Sequence, residues 1–295
     1  MNCFQNLCIF ALGTTYLVRM LLNETNMKKL TEGMDIDRIT KTVSYNPYEE
    51  VNIVTGNDKK YPFPIRGIYT DKTTGKKYKV VSIFRRLKND ENDDGNPIIH
   101  AWKNEKRWKF KSENDKKLLI RQFKLITSEL NEKFDTITFI PSTNKMNEEI
   151  GSILCDMIPH KHYIHDYILK MEKSQVADSV DVQRLLNDGI DVNTFFQKLG
   201  EWMDSMPTEY FQYYYVPINY RKYFSNEFVV PSENVLEYAK FINNKRVLVI
   251  DDTISTGKSI SDYCRAVTES FAPKELIIFT AFFSTNRKVI KEVKR

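Results

Sequence analysis

Along the chain, short continuous apolar runs alternate with longer segments in which apolar residues recur at helical spacing among polar ones. The runs at 134–140 and 247–250 are each followed by a polar segment and then by a helical pattern, and a third run covers 275–283. A run that is too short for a helix and apolar on both faces is typical of a strand inside a parallel sheet. The pattern therefore predicts an α/β fold in which helices flank a parallel sheet.

Further elements follow from the same patterns. Apolar spacing predicts a helix over roughly 113–131, another after the strand at 134–140, and two helices over 178–206 that are broken near Gly189. The run at 163–169 is a candidate second core strand, and the aromatic run at 210–215 is a further candidate strand.

The preceding part of the chain has a different character. Residues 65–69 and 78–84 flank the turn sequence at 71–75, which predicts a β-hairpin, and 98–102 and 107–110 are further strand candidates. We therefore expect three parts. They are an N-terminal extension (1–44), a β-rich accessory module (45–111) and a main α/β domain (112–295). Since every core strand identified in this way follows residue 112, deletion of 1–111 is expected to leave ligand binding intact.

The segment 247–259 carries the strongest chemical signal. Asp251 and Asp252 follow the apolar run, at the edge where open α/β sheets bind ligands. Gly257 permits a turn before a helix that begins near Ser259, so backbone amides and a helix N-terminus converge as they do in anion sites. Two carboxylates would repel a phosphate unless they hold sugar hydroxyls or a divalent cation. The predicted ligand is a sugar phosphate.

Two other interpretations of this segment stay open. Gly257, Lys258 and Ser259 match the end of a Walker A loop, but the first glycine of that motif belongs where Asp252 stands. An ordinary strand, turn and helix with solvated aspartates would also give this pattern.

Residues 247–259 resemble the phosphoribosyl-pyrophosphate (PRPP) signature of type I phosphoribosyltransferases, with four apolar residues, two acidic ones and a Thr/Gly-rich loop. The resemblance implies that Asp251 and Asp252 are the catalytic pair and bind the ribose hydroxyls. It also implies a 5′-phosphate loop formed by Thr253, Ser255, Thr256, Gly257, Lys258 and Ser259. Lys258 departs from the family pattern, which often has Gly or Ala there, and its side chain either adds charge to the phosphate site or points to solvent.

The resemblance implies two further sets of residues. Pyrophosphate would contact the loop after the first core strand and a mobile loop that follows the second. The candidates are Ser142, Thr143, Asn144 and Lys145 in the first loop, and Lys170, Lys173 and Arg184 in or after the second. Phe282 or Phe283, at the end of the last core strand, would stack on the acceptor base or lie in the core.

The implied activity is that of a PRPP-dependent glycosyltransferase of nucleotide metabolism. Phosphoribose passes to a nitrogenous base, and pyrophosphate leaves. Mg²⁺ is the implied cofactor, held mainly by PRPP and pyrophosphate, so no protein metal site is expected. The alternative is a non-catalytic protein of the same fold that senses PRPP or nucleotides or binds nucleic acid.

Composition narrows the setting. The chain has 295 residues, a net charge of +5 and four cysteines with no paired framework, which suits a cytoplasmic protein with reduced thiols. The apolar first 21 residues are interrupted by Gln5, Asn6, Thr14, Thr15 and Arg19, so we expect no secretion signal or membrane span. Met27 is a natural start, and the residues before it are expected to be dispensable.

The expected partners are PRPP and an acceptor base, and a homodimer stays open. Nucleic acid also stays open, because basic and aromatic residues alternate in the 45–111 module as in single-strand platforms. They are Lys76, Lys77, Arg85, Arg86, Lys103, Lys106, Arg107 and Lys109, with Tyr78, Phe84, Trp102 and Trp108. The other interpretation is a solvated face over a small β core. His160, His162 and His165 are expected to be structural rather than metal ligands.

Overall fold

A mixed sheet of eight strands organises the computed structural model, which describes residues 34–45, 53–55, 64–71, 73–86, 96–142, 145–254, 257–283 and 290–293. In chain order, the strands are β1 (Met34–Asp37), β2 (Thr42–Tyr45), β3 (Ile53–Thr55), β4 (Ile65–Thr70), β5 (Lys77–Arg86), β6 (Lys109–Phe110), β7 (Thr136–Phe139), β8 (His162–Tyr163), β9 (Leu169–Lys170), β10 (Phe228–Val229), β11 (Arg246–Thr253), β12 (Glu275–Phe283) and β13 (Ile290–Glu292). The helices are α1 (Asn96–Lys103), α2 (Glu113–Thr127), α3 (Met146–Met157), α4 (Val182–Asn187), α5 (Val192–Ser205), α6 (Ser232–Ile242) and α7 (Lys258–Ser270).

The strand order of the large sheet is β13-β4-β5-β12-β11-β7-β8, and β3 pairs with β5. Strands β5, β12, β11, β7 and β8 are parallel, whereas β4 is antiparallel to β5 and β13 is antiparallel to β4. The predicted α/β fold is confirmed, but the sheet is mixed rather than parallel throughout. Because β7 and β11 are parallel neighbours, their following loops lie side by side at one edge of the sheet.

Strand β11 is buried on both faces. Val247 and Val249 belong to the hydrophobic core that also contains residues of α6 and α7, while Leu248 and Ile250 belong to the core that contains residues of α1, α2 and α3. Alternate side chains of a strand point to opposite faces, so this apolar run fills both layers. The apolar run before the acidic pair is therefore a central strand, as predicted.

The N-terminal strands correct the expected division of the chain. The hairpin forms as predicted, from β4 and β5, but β5 also pairs in parallel with β12 from Ile277↔Lys79 to Phe283↔Arg85. The expectation that every core strand follows residue 112 is therefore wrong. The physical reason is that β12 needs a second partner, and β5 supplies both its hydrogen bonds and its buried side chains.

Three other strand predictions are wrong or too long. Residues 98–102 lie in helix α1, where Ile98, Ile99 and Trp102 share one buried face and Pro97 lies in the first turn. The run at 210–215 forms an isolated bridge at Tyr210 and a 3₁₀ turn at Tyr213–Tyr215. Of the candidate second core strand at 163–169, only Tyr163 lies in β8 of the large sheet, and Leu169 lies in β9, which pairs with β10 instead.

The helix predictions hold. Helix α2 begins after Ser112, whose side chain forms a capping box with Asp115, and α3 follows β7. Helices α4 and α5 flank Gly189, which has a φ of +71°. Cys264 is buried in α7, in agreement with its predicted core position.

Residues 171–224 form an insertion with its own hydrophobic cluster. Phe195 and Leu199 of α5 pack there with Phe211, Tyr223 and Phe224. The insertion connects to the sheet region through the β9–β10 pair, in which Leu169 is opposite Val229. Within the part of the chain that the structure describes, no helix has the length and apolar character needed to cross a membrane.

Candidate functional site

The acidic pair lies at the carboxyl end of β11, as predicted, beside a cavity of about 710 Å³. The Oδ1 atom of Asp251 accepts hydrogen bonds from the Asp252 amide at 2.9 Å and from Nδ2 of Asn147 at 3.3 Å. Asp252 is 8% exposed, and its Oδ2 atom forms an ion pair with Nζ of Lys103 at the end of α1. The two carboxylates therefore have different environments.

These environments change the acid–base properties of the pair. Burial, and after it the negative charge of Asp252, raises the pKa of Asp251 well above the ordinary carboxyl value, while Lys103 opposes the rise. Burial on its own would lower the pKa of Lys103, but the Asp252 carboxylate raises it overall. Asp251 therefore binds a proton more readily than an ordinary carboxyl group does.

Helix α7 begins after a glycine with left-handed backbone. Gly257 is the N-cap of α7 and has a φ of +81°, a conformation that side chains rarely adopt. A Cβ atom there would lie 2.5 Å from the ring of Tyr69. The Tyr69 hydroxyl donates to the Gly257 carbonyl at 2.8 Å, so strand β4 holds the turn in place.

Near the start of α7, buried carboxylates bind lysine ammonium groups and a serine hydroxyl of the cavity. Nζ of Lys258 forms an ion pair with Oδ1 of the buried Asp262 at 2.5 Å, and burial lowers the pKa of Lys258. Ser259 Oγ donates to Oε2 of Glu227 at 2.8 Å, and Lys170 pairs with Oε1 of Glu227 at 3.4 Å. Lys258 therefore neither points freely to solvent nor depends on a ligand for its counter-ion.

The loop after β7 borders the same cavity. The Ile140 amide donates to the Ile250 carbonyl at 2.9 Å, which extends the pairing of the two strands to the point where the loops begin. Nδ2 of Asn147 donates to the Ile140 carbonyl at 3.0 Å and thereby connects this loop to Asp251. Among the described residues, the buried Oδ1 of Asn147 and Oγ1 of Thr253 have no hydrogen-bond partner. Unsatisfied buried oxygens at a cavity are free to bond a ligand or water.

The predicted site residues divide into three groups. Those that line the cavity are Ser142, Lys170, Asp251, Asp252, Thr253, Gly257, Lys258 and Ser259. Those that lie outside the described residues are Thr143, Asn144, Ser255 and Thr256. Lys145 and Lys173 do not line the cavity, and Lys173 instead donates to the Met206 carbonyl at 2.9 Å. The segment expected to be a mobile loop contains β9 and a 3₁₀ turn at Lys173–Gln175.

Several cavity residues were missed by the sequence analysis. They are Lys103, Asn147, Arg221, Glu227 and Tyr214. Arg221 donates through Nε to the Val216 carbonyl at 2.9 Å. The only local signal for Lys103 is that it follows the apolar residues of 98–102. Because that segment was predicted to be a strand, the position of Lys103 at the end of a helix was missed. Arg221 and Tyr214 come from the insertion, Asn147 from the start of α3 and Glu227 from the residue before β10, where no local pattern marks a site.

Three of the four aromatic residues proposed for stacking on nucleic acid are buried, and Trp108 is partly buried. Tyr78, Phe84 and Trp102 are exposed by 5% or less, so they pack in the core and offer no face to a nucleic acid base. That part of the single-strand platform prediction is wrong. Phe282 and Phe283 are buried too, and Phe282 packs against Phe84 with ring centroids 5.5 Å apart. An acceptor base would have to stack elsewhere.

Comparison with known proteins gives no relative. The chain matches no family model, no curated protein and no solved structure. In the described residues, no group of three or more histidine, cysteine, aspartate or glutamate side chains is placed to hold a metal ion. Function must therefore be argued from the geometry of the cavity.

Proposed function

We propose that the chain is a phosphoribosyltransferase that transfers phosphoribose from PRPP to a nitrogenous base and releases pyrophosphate. The observation that carries the proposal is the juxtaposition, on one cavity, of Asp251 and Asp252 with the left-handed turn at Gly257. The carboxylates suit vicinal hydroxyls, and the turn at the start of α7 suits a phosphate. The cavity has the size of a small-molecule site.

The reaction requires stabilisation of two opposite charges. A ring nitrogen of the acceptor forms a bond to C1 of the ribose as the bond from C1 to the pyrophosphate oxygen breaks, and the electron pair leaves with pyrophosphate. An N–H proton, where the acceptor has one, passes to water. Asp251 and Asp252 orient the ribose and oppose the positive charge that develops at C1, while Lys170, Arg221 and Lys258 provide positive charge on the same cavity.

The carboxylates present also fit Mg²⁺ that arrives with the substrate. Mg²⁺ in proteins usually takes one or two carboxylates and completes its shell with water and substrate phosphates. Asp251 and Asp252 are adjacent carboxylates at the cavity, which meets that need without a dedicated protein cage. When bound, the ion would neutralise charge on the departing pyrophosphate.

A second candidate function is a PRPP or nucleotide sensor without turnover. The ion pair between Lys103 and Asp252 favours it, because one of the two carboxylates needed for the ribose already has a partner. Displacement of Lys103 by a sugar would then report ligand binding through α1. Turnover distinguishes the two candidates.

The test measures pyrophosphate release from PRPP and Mg²⁺ with a panel of planar nitrogenous bases, together with PRPP affinity by calorimetry. Asp252→Asn should weaken PRPP binding, because charge-assisted hydrogen bonds to the hydroxyls contribute about 1.5–3 kcal/mol each. Asp156→Asn, at an exposed carboxylate of α3, is the matched control. PRPP binding without turnover supports the sensor, and equal PRPP affinity of the two variants removes the site assignment.

A further inference from the structure

The segment after α1 is strained where it borders the cavity. Lys103, Glu105 and Lys106 line the cavity, and non-glycine residues at Asn104, Lys106 and Arg107 have φ values of 56°, 52° and 65°. Left-handed backbone costs free energy in non-glycine residues and is retained where surrounding bonds enforce it. The strain here lies in a cavity wall to which the PRPP signature assigns no role.

Backbone hydrogen bonds on both sides enforce this conformation. The Glu105 amide donates to the His100 carbonyl at 2.8 Å, and the Trp108 amide donates to the Glu105 carbonyl at 2.9 Å. The Lys109 amide is bound by the Lys41 carbonyl at 3.1 Å. The segment is thus fixed, and its side chains are presented to the cavity from a defined backbone.

Lys106 differs from the other lysines of the cavity. Lys103, Lys170 and Lys258 each form an ion pair with a carboxylate, whereas the Lys106 ammonium has no ion pair within the part of the chain that the structure describes. It lies 3.4 Å from Nε2 of His100 and 5.5 Å from the centroid of the Tyr214 ring. Glu105 on the same wall interacts with this charge but forms no ion pair with it, so the Lys106 ammonium keeps hydrogen-bond donors for an anionic ligand.

Tyr214 supplies an aromatic face at the same wall. Its neighbours in the 3₁₀ turn are held in place, since the buried Tyr213 hydroxyl donates to Oδ2 of Asp262 at 2.9 Å and the Tyr215 ring meets Tyr214 edge-on at 5.1 Å. Tyr214 itself is 66% exposed and lines the cavity. An exposed ring on the cavity wall suits stacking with a planar ligand.

We propose that Tyr214 and Lys106 bind the acceptor, and that the acceptor is a planar nitrogen heterocycle carrying a carboxylate. The ring stacks on Tyr214, and the carboxylate pairs with the Lys106 ammonium, which moves from the ring on its flexible stem. This assignment rests on the proposed phosphoribosyltransferase function. A neutral base would use the aromatic face and leave the cation unpaired.

The test uses the intact protein with PRPP and Mg²⁺ and compares two sets of probes. The carboxylated set is nicotinate, quinolinate and orotate, and the neutral set is adenine, hypoxanthine and uracil. Pyrophosphate release should occur with a carboxylated probe. Lys106→Gln should raise the acceptor KM about tenfold or more, the loss expected for a charge-assisted hydrogen bond, while PRPP affinity stays within about twofold.

Controls separate recognition from folding. Lys109→Gln removes an exposed cation of β6 outside the cavity and should leave the acceptor KM unchanged. Tyr214→Ala removes the aromatic face and should raise the acceptor KM. Turnover of neutral probes alone, or an unchanged KM in Lys106→Gln, overturns the acceptor assignment. PRPP binding without release from any probe overturns it too, whereas failure to bind PRPP overturns the proposed function itself.

Discussion

Asp251 and Asp252 are adjacent in sequence but differ in environment. Asp252 is paired with Lys103, whereas Asp251 is held by an amide and by Asn147. Burial and the nearby Asp252 charge raise the pKa of Asp251 well above its usual range. Protonation of Asp251 would remove a hydrogen-bond acceptor for a ribose hydroxyl, so PRPP affinity should depend on pH.

We predict that PRPP affinity increases as the pH rises through the raised pKa of Asp251. Because Lys103 lowers this pKa and Asp252 raises it, Lys103→Met should move the midpoint to higher pH, and Asp252→Asn should move it to lower pH. Calorimetric titrations across a pH series measure the midpoints. Identical midpoints in all three proteins would show that Asp251 is not the titrating group.

The same shift has a consequence for stability, with the opposite sign. A carboxyl group whose pKa is higher in the folded than in the unfolded state contributes stability that is fully present below the unfolded pKa. That contribution is lost as the pH rises through the folded pKa. Ionisation of Asp251 therefore strengthens PRPP binding and removes folding stability over the same pH interval, as is common for functional carboxylates.

Gly257 gives a second prediction at the residue scale. Gly257→Ala should weaken PRPP binding about tenfold or more, because it combines left-handed strain with a Cβ atom 2.5 Å from the Tyr69 ring. Gly75→Ala is the control, since Gly75 has a φ of +72° and open space around it. Calorimetry and thermal unfolding of both variants check this. Equal losses of PRPP affinity would mean that the contact at the cradle is unimportant.

Residues with a local signal could be predicted, and those positioned by tertiary packing could not. The acidic pair and Gly257 follow an apolar run that identifies their strand. Lys103 reaches Asp252 only because α1 packs on the sheet through Trp102, whose ring meets Phe282 edge-on at 6.3 Å. No spacing in the sequence connects residues that are so far apart along the chain.

At the scale of elements, the β4–β5 hairpin is connected to the start of α7, where we propose that the 5′-phosphate binds. Tyr69 of β4 donates to the Gly257 carbonyl and also bonds Ser261 of α7, and Ser261 Oγ donates to Oδ1 of Asp71 at 3.0 Å. The start of α7 is therefore positioned by a strand that the sequence assigned to a separate module.

We predict that Tyr69→Phe lowers PRPP affinity about threefold to tenfold, the effect of losing hydrogen bonds that contribute roughly 0.5–1.5 kcal/mol. Tyr78→Phe is the matched control, because Tyr78 is a buried neighbour whose ring stacks with Tyr69 at 6.3 Å. Competition titrations with PRPP measure both. A loss of PRPP affinity in Tyr78→Phe alone would show that the Tyr69 hydroxyl does not position the start of α7 for binding.

The errors in element prediction have a common cause. Isoleucine and tryptophan at 98–102 favour strands intrinsically, but their spacing gives one buried helical face that packs with α2 and β12. In the aromatic run at 210–215, Phe211 and Tyr213 are buried in the insertion cluster, and the run has no strand partner beyond one bridge at Tyr210. In both segments, tertiary packing overrides local propensity.

At the scale of the whole molecule, one sheet joins the two halves of the chain. Removal of 1–111 would strip β12 of its partner β5 and expose Phe279 and Phe282, which are fully buried. We therefore predict that the truncated protein 112–295 does not fold cooperatively, in contrast to the expectation from sequence. Circular dichroism and thermal unfolding decide this. A cooperative transition with intact PRPP affinity would show that residues 112–295 fold independently of the preceding module, as the sequence predicted.

The sequence predicted only some of the central parallel strands. Apolar runs identified β7, β11 and β12, but the fourth parallel strand, β5, has the pattern of a hairpin because it pairs with β4 on its other side. Whether such a strand also joins the parallel part of the sheet is determined by pairing with residues far away in the chain. The position of the cavity depends less on it, because β7 and β11 alone bring their two loops together.

The measurement that most directly tests the central claim is calorimetric titration of the intact protein with PRPP and, separately, with ATP, both in Mg²⁺. The two ligands distinguish a 5′-phosphate cradle with an acidic pair from a nucleotide P-loop. PRPP carries a terminal 5′-monophosphate and a pyrophosphate on C1, whereas ATP carries a 5′-triphosphate and a base on C1. The account predicts saturable PRPP binding at one site that Asp252→Asn weakens, with ATP binding far weaker. Tight ATP binding without PRPP binding would contradict it.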